Sequence, residues 1–465
     1  MNNKIIESIK LVKSVRHSDW VKALVWCHLY GFFVAWTGCW WLMIGLPVVF
    51  DMYVTRFIPW GWWKELKNPV ARQVMSWVDT IVWALAAVYL INIFVLQNYQ
   101  IPTSSLEKSL LVGDYLVVSK INYGPRVPNT PIAFPLAHNT LPFIGGKSYL
   151  DKPHWNYKRL AGLTTMKRND IVVFSFPAGD TIAFLQQNPD YYRLVDVNGW
   201  EVVNSHPEYF GEIMYRPVDR RENFVKRLIG MPGESLQIID NQVYINGEAL
   251  PNPQKLQFDY TVVAKNPLSQ KQFEELGVNK ADRQRLFWVS DEEGQEHPLY
   301  DRMPLTQEAH DLLQKSGWAL SVTIAPSDVG DKTYPYDYAT GWSRDNFGPL
   351  WIPKKGATIA LNDENIALYS RCIVNYEGNN LHRDGEKVFI NGVPSSSYTF
   401  RMDYYFMMGD NRHESADSRY WGFVPEDHVV GTPVFILLSL EKDKGWFSGK
   451  IRWNRLFRTV NSLVQ

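Results

Sequence analysis

Cysteine, net charge and metal-binding spacings are what this 465-residue sequence has little of. Its three cysteines are Cys27, Cys39 and Cys372. The first two sit in an apolar run and the third stands alone, so no internal disulfide framework can staple the polar remainder. The 48 basic residues are matched by 48 acidic ones, which argues against a nucleic-acid partner. The ten histidines include no His-Glu-x-x-His pair, and no Cys-x-x-Cys occurs, so nothing points to a metal site. What is plentiful is tryptophan. There are 19, many of them before residue 90, as in the aromatic belts of a membrane interface. The length suits a membrane part followed by one or two soluble domains.

Residues 1–22 are polar and basic, with Lys4, Lys10, Lys13, Arg16 and Lys22. A first apolar segment, 23–50, contains the run Cys27 to Phe50, too late and too long for a cleaved signal sequence. Trp36, Trp40 and Trp41 crowd it, and Gly38, Gly45 and Pro47 interrupt it, so it reads as either a crossing helix or a re-entrant hairpin. Residues 51–76 form a basic loop with Arg56, Lys64, Lys67 and Arg72, expected on the cytoplasmic side. The second segment, 77–97, holds Trp77 to Leu96, about 30 Å of helix and enough to span a bilayer. Two full crossings would separate the two basic stretches, against the charge rule. Either the N-terminus is exported despite its charge, or the first run is a hairpin.

From residue 98 the pattern is β. Ile171 to Phe176, Ser235 to Ile239, Gln242 to Ile245, Lys387 to Ile390 and Tyr404 to Met408 are short β-branched or aromatic runs bounded by turn formers. NQVYINGEALP (241–251) and EKVFINGVPSS (386–396) each place Asn-Gly after alternating apolar residues, a hairpin signal. We expect a β domain in two parts, 98–254 and 386–465. It carries an insertion at 178–222 and an inserted subdomain at 255–385 with a helix near Thr306 to Lys315. The tail mixes Trp446, Phe447, Trp453 and Phe457 with Lys450, Arg452, Arg455 and Arg458. That mixture suits a lipid headgroup layer, or equally a closing strand and helix with solvated charges.

Four stretches carry chemistry. IPTSSLEKSLLVGDYLVVSK (101–120) presents the hydroxyls of Thr103, Ser104 and Ser105 just after the second apolar segment. They are either a nucleophile at a bilayer surface or an ordinary Ser/Thr turn. NDIVVFSFP (169–177) is a polar turn followed by a buried-looking strand. NFVKRLIGMPG (223–233) puts Lys226 and Arg227 on opposite faces of an apolar strand. Desolvation lowers a lysine pKa toward the range of a general base, whereas arginine stays charged. The competing reading is an exposed edge-strand charge pair. MMGDNRHESADSRYWGFVP (407–425) is dense in residues that hydrogen-bond a loop into one shape and so orient a base. His413 and Glu414 offer no separate carboxylate orienter for a histidine triad.

In that order, these blocks resemble the four motifs of bacterial type I signal peptidases, membrane-anchored Ser-Lys endopeptidases. The resemblance implies a mainly β, antiparallel catalytic ectodomain anchored by one or two N-terminal helices, with the inserted subdomain as an addition. It implies Ser105 as nucleophile, Lys226 as general base, and an oxyanion hole from the Thr103 hydroxyl and the Ser105 backbone N–H. Ser415 would orient the lysine, and Arg227, Asp410, Asp417 and Arg419 would form a structural charge network. No metal or cofactor is implied. The partners would be signal peptides of exported preproteins, with small residues at the first and third positions before the cut, and the lipid bilayer. No oligomeric state follows. The location would be the cytoplasmic membrane, multi-pass, with the catalytic domain on its outer, periplasmic face. The chain departs from the family pattern at Leu106, Lys108 and Ser109, where Met and Pro-Thr are usual. Loss of the proline frees the turn, and Lys108 brings a cation that could lower the Lys226 pKa further or alter substrate preference. The competing function is a catalytically altered protein that binds signal peptides or assists secretion. Another Ser-Lys protease, such as a self-cleaving repressor, lacks its DNA-binding domain here.

Overall fold

The computed structural model describes residues 15–142, 146–177, 181–186, 190–283, 285–327, 332–336, 338–442 and 444–464. Lys4, Lys10 and Lys13 lie outside them. The chain divides into two units: one runs to residue 95 and includes Gly124–Leu163, and the other holds Leu96–Tyr123 and the rest from Thr164.

In the first unit the early apolar run is not one helix. The helix His17–Thr37 ends at Gly38, whose φ of 61° suits glycine and stops the helix. The chain then returns through Trp40–Ile44, Gly45–Phe50 and Asp51–Thr55. Three contacts close this hairpin. Trp20 packs on Phe50 with ring centroids 5.8 Å apart, Tyr30 donates to the Leu42 carbonyl at 2.7 Å, and Arg56 pairs with Asp19 at 2.9 Å. At the return end the Asp51 carboxylate accepts from the Phe57 and Ile58 backbone N–H groups and from Trp60 Nε1.

The helix Pro69–Phe94 starts ahead of the Trp77 run because Asn68 accepts from the backbone of Val70 and Ala71 and Pro69 takes the first turn. Its 26 residues reach about 39 Å. Among the described residues it is the one helix long and apolar enough to cross a membrane. None of its residues is buried. Phe94 packs edge-on against Phe33 at 5.2 Å, which brings the C-terminal ends of the two long helices together. Lys158 Nζ donates to the Thr37 carbonyl and Tyr89 Oη to that of Pro131, tying 124–163 to the same ends.

The second unit is mostly antiparallel sheet. Seven strands run in the order Leu96–Gln100, Asp114–Ser119, Val429–Ser439, Ile171–Ser175, Asn223–Gly230, Tyr404–Met408 and Val424–Pro425. The period of two sends Ile171 and Val173 into one core with Leu106, Leu110 and Leu116. It sends Val172 and Phe174 into another with Leu228, Met407 and Trp421. Asn223–Gly230 is therefore an interior strand, paired on both sides, and the edge-strand reading of Lys226 and Arg227 fails. Both Asn-Gly hairpins form, with Asn246 and Gly247 at φ 52° and 84° and Asn391 and Gly392 at 52° and 79°.

Residues Gln257–Ile324 build a separate four-stranded sheet covered by the helix Gln307–Ser316. Phe347–Trp351 instead pairs with Ser235–Ile239, and Thr358–Ala360 with Ser397–Thr399. Three short helices between Tyr191 and Phe210 are bracketed by the paired strands Thr181–Ala183 and Ile213–Tyr215. The tail folds back on Val429–Ser439 and buries Val460 and Val464. Arg452 and Arg455 are held by Glu441 and Asp114, while Trp446, Phe447, Trp453 and Phe457 stay exposed.

Candidate active site

Two stretches far apart in sequence line one cleft of about 270 Å³ in the sheet unit. Ile101, Thr103 and Ser105 come from the turn after Leu96–Gln100, and Phe224, Val225 and Lys226 from the interior strand. Thr103 is exposed, whereas Ser105 is only 6% exposed. Lys226 is 3% exposed, and burial lowers its pKa to about 8. Asp417 opposes that shift, Arg419 reinforces it and Asp410 opposes it. An amine in this range exchanges a proton readily near neutral pH.

The adjacent Arg227 does a different job. It grips Asp410 with two parallel hydrogen bonds of 2.7 Å and donates to the Asn169 carbonyl at 3.0 Å. Asp410 also accepts from Ser109 Oγ at 2.5 Å, so the ion pair reaches into the turn that carries Ser105. Asp417 and Arg419 form a second bidentate pair, at 2.9 and 2.8 Å. Burial alone would raise the Asp417 carboxyl, but Arg419 and the Gly409 N–H hold it below the usual carboxylate range. Both pairs are buried and multiply hydrogen-bonded, the condition for tolerating charge in an interior.

Ser415 is buried, and its hydroxyl donates to the Ala416 carbonyl at 3.5 Å. Gly409 links it to the turn. A Cβ added there would lie 2.3 Å from Ser415 Oγ and 2.6 Å from the Ser105 carbonyl oxygen. The Asn411 N–H donates to that carbonyl at 3.1 Å. Sequence reasoning missed Gly409, because its signal is close approach and not an unusual backbone angle.

His413 packs instead against Asp345 and Asn241 and accepts from the Asp259 N–H, with its side chain fully covered. Lys108 is not among the charges that act most on Lys226, which are Asp417, Arg419 and Asp410. Its ammonium donates to the Gly277 carbonyl. Among the described residues, no group of three or more His, Cys, Asp or Glu is gathered as a metal would require.

A model of the signal peptidase family, peptidase S26, matches residues 74–294 and 352–438. The chain belongs to this family. It is a serine endopeptidase that removes signal peptides. It is 22% identical over 386 residues to signal peptidase I of Buchnera aphidicola subsp. Baizongia pistaciae, covering 83% of this chain and 84% of that one. It is likewise 22% identical over 406 residues to signal peptidase I of Haemophilus influenzae, covering 85% and 78%. A shorter match, 37% identical over 92 residues, joins it to signal peptidase I of Helicobacter pylori, over 18% of this chain and 29% of that one.

Proposed function

We propose that this peptidase cuts by a Ser-Lys dyad, with Ser105 as nucleophile and Lys226 as general base. The observation that carries the reading is a buried lysine with a pKa near 8 lining the same cleft as a buried serine. At pH 7 roughly one Lys226 in ten is neutral and able to accept a proton. It takes the hydroxyl proton as Ser105 Oγ attacks the scissile carbonyl. The developing oxyanion is held by the Thr103 hydroxyl and the Ser105 N–H. The protonated lysine then gives its proton to the leaving amine, and the Lys226 amine, neutral again, takes a proton from the water that hydrolyses the ester. Ser415 orients Lys226, and the Arg227–Asp410 and Asp417–Arg419 pairs fix the loops around it. The apolar lining of Ile101, Val173 and Phe224 suits small residues beside the cut.

The membrane reading rests on the helical unit. A hairpin over residues 17–55 returns the chain to the side it left, so Arg16 and Lys22 lie at the same end as Arg56, Lys64 and Lys67. With both basic stretches at one end, this reading agrees with the charge rule. Pro69–Phe94 then crosses once, its exposed apolar surface meeting lipid, and delivers the catalytic unit to the outer face of the cytoplasmic membrane. Its partners are thus the bilayer and signal peptides.

Purified enzyme incubated with a preprotein, beside Ser105→Ala and Lys226→Ala, tests the dyad. Cleavage by wild type alone is expected, and cleavage that survives either substitution sinks the mechanism. Reporter fusions at the N-terminus and after residue 465 test the topology, with the first expected inside and the second outside.

A further inference from the structure

The turn that carries Ser105 ends in two charged residues that point away from the cleft. Glu107 is 9% exposed, and its carboxylate accepts from Asn279 Nδ2 at 3.3 Å. Lys108 Nζ donates to the carbonyl of Gly277, which follows the helix Gln270–Glu275. Asp282, on the next short turn, is a second carboxylate near Lys108, and the like charge of Lys255 opposes the two. Asn279, Gly277 and Asp282 all belong to the segment 257–324, far along the chain.

A second grip runs from the same segment. Gln257, the first residue of its central strand, brackets the 410–412 backbone: its N–H donates to the Asp410 carbonyl, and its own carbonyl accepts from the Arg412 N–H, both at 2.9 Å. Within that stretch Asn411 holds the Ser105 carbonyl and Asp410 holds Ser109. The 257–324 segment therefore grasps the turn directly at Glu107 and Lys108, through the connection between two of its strands, and indirectly through residues 410–412.

The backbone explains why a side-chain tether is needed. Lys108 has φ 70°, which a proline ring, fixed near −65°, cannot adopt. The turn cannot take its stiffness from proline at that position.

We propose that Lys108 is a positioning residue: its ammonium, clasped by the Gly277 carbonyl and near Glu107 and Asp282, fastens the nucleophile turn to the 257–324 segment. The segment then serves catalysis by holding Ser105 at the angle from which it reaches Lys226. This rests on Ser105 being the nucleophile. Burial lowers the Lys108 pKa and raises that of Glu107, and the charge of each opposes the shift of the other.

The test compares Lys108→Met, Lys108→Arg and Asp282→Asn with wild type and Ser105→Ala, reading kcat and KM for a preprotein across pH. Misplacing a nucleophile lowers turnover more than binding. Lys108→Met should lose about tenfold or more in kcat with KM little changed. Its pH midpoint should stay that of wild type, because Lys108 orients and does not titrate the base. Lys108→Arg, which keeps a donor, should recover most of the loss. Asp282→Asn, which does not line the cleft, should lose a smaller amount in kcat alone. Wild-type kcat in both Lys108→Met and Asp282→Asn overturns the inference, as does a shifted pH midpoint, which would make Lys108 an electrostatic partner of Lys226. Activity surviving in Ser105→Ala would instead overturn the assignment of the nucleophile.

Discussion

The two units invert each other. The helical unit leaves Ile81, Val82 and Leu90 exposed on Pro69–Phe94, a helix with no buried residue. The sheet unit buries Lys226, Arg227, Asp410, Asp417 and Arg419. Each breaks the rule that apolar groups go inside and charges outside, and each breach tells what its unit meets. A bare apolar helix of this length suits the membrane crossing proposed for it. Buried charge calls for pairing or for chemistry, and the two cases stand next to each other in one strand. Arg227 is fully paired and serves architecture, whereas Lys226 is desolvated and left able to lose its proton.

The sharpest way to break this comparison is to replace the neighbours by the same residue. Lys226→Met should abolish peptidase activity, a fall of about 10⁴ or more, assayed on a preprotein. Its thermal midpoint should hold or rise, since an apolar side chain replaces a desolvated amine. Arg227→Met should do the reverse to the fold, costing about 3–5 kcal/mol in denaturant unfolding because Asp410 is left buried and unpaired. Equal stability losses in the two variants would erase the distinction. On the helical side, Ile81→Asp puts a charge on bare helix and should cost about 3 kcal/mol of insertion, seen as loss of the protein from the membrane fraction.

The pH dependence sharpens the Lys226 half. Burial depresses this amine, so its neutral, active form grows as pH rises through about 8. The value of kcat/KM should climb about tenfold per unit below that midpoint and level off above it. Gly409→Ala and Gly247→Ala give the finest contrast. An added Cβ at Gly409 meets Ser415 and the Ser105 carbonyl, so activity should fall steeply. At Gly247 it meets open space and only the φ of 84° resists, at about 1 kcal/mol of stability with activity intact.

Much of this was legible in sequence because it is local. The Asn-Gly pairs specify their turns, the run from Trp77 specifies a helix long and apolar enough to cross a membrane, and the four blocks single out the candidate residues. What could not be read depends on partners brought from far away. Lys226 is buried because Ile171–Ser175 and Tyr404–Met408 flank its strand, and no local pattern announces either neighbour. The hairpin in the first apolar run turns on Gly38 and on the Arg56–Asp19 pair. Lys108 looked like a cation loose beside the base, and Asp282 and Gly277, more than a hundred residues on, give it another direction.

The most direct test of the dyad is to quench the enzyme during turnover of a preprotein near pH 8 and locate the acyl group by peptide mass spectrometry. The account predicts an ester on Ser105 that is absent in Lys226→Met. An acyl group on any other residue, or undiminished acylation without Lys226, would contradict it.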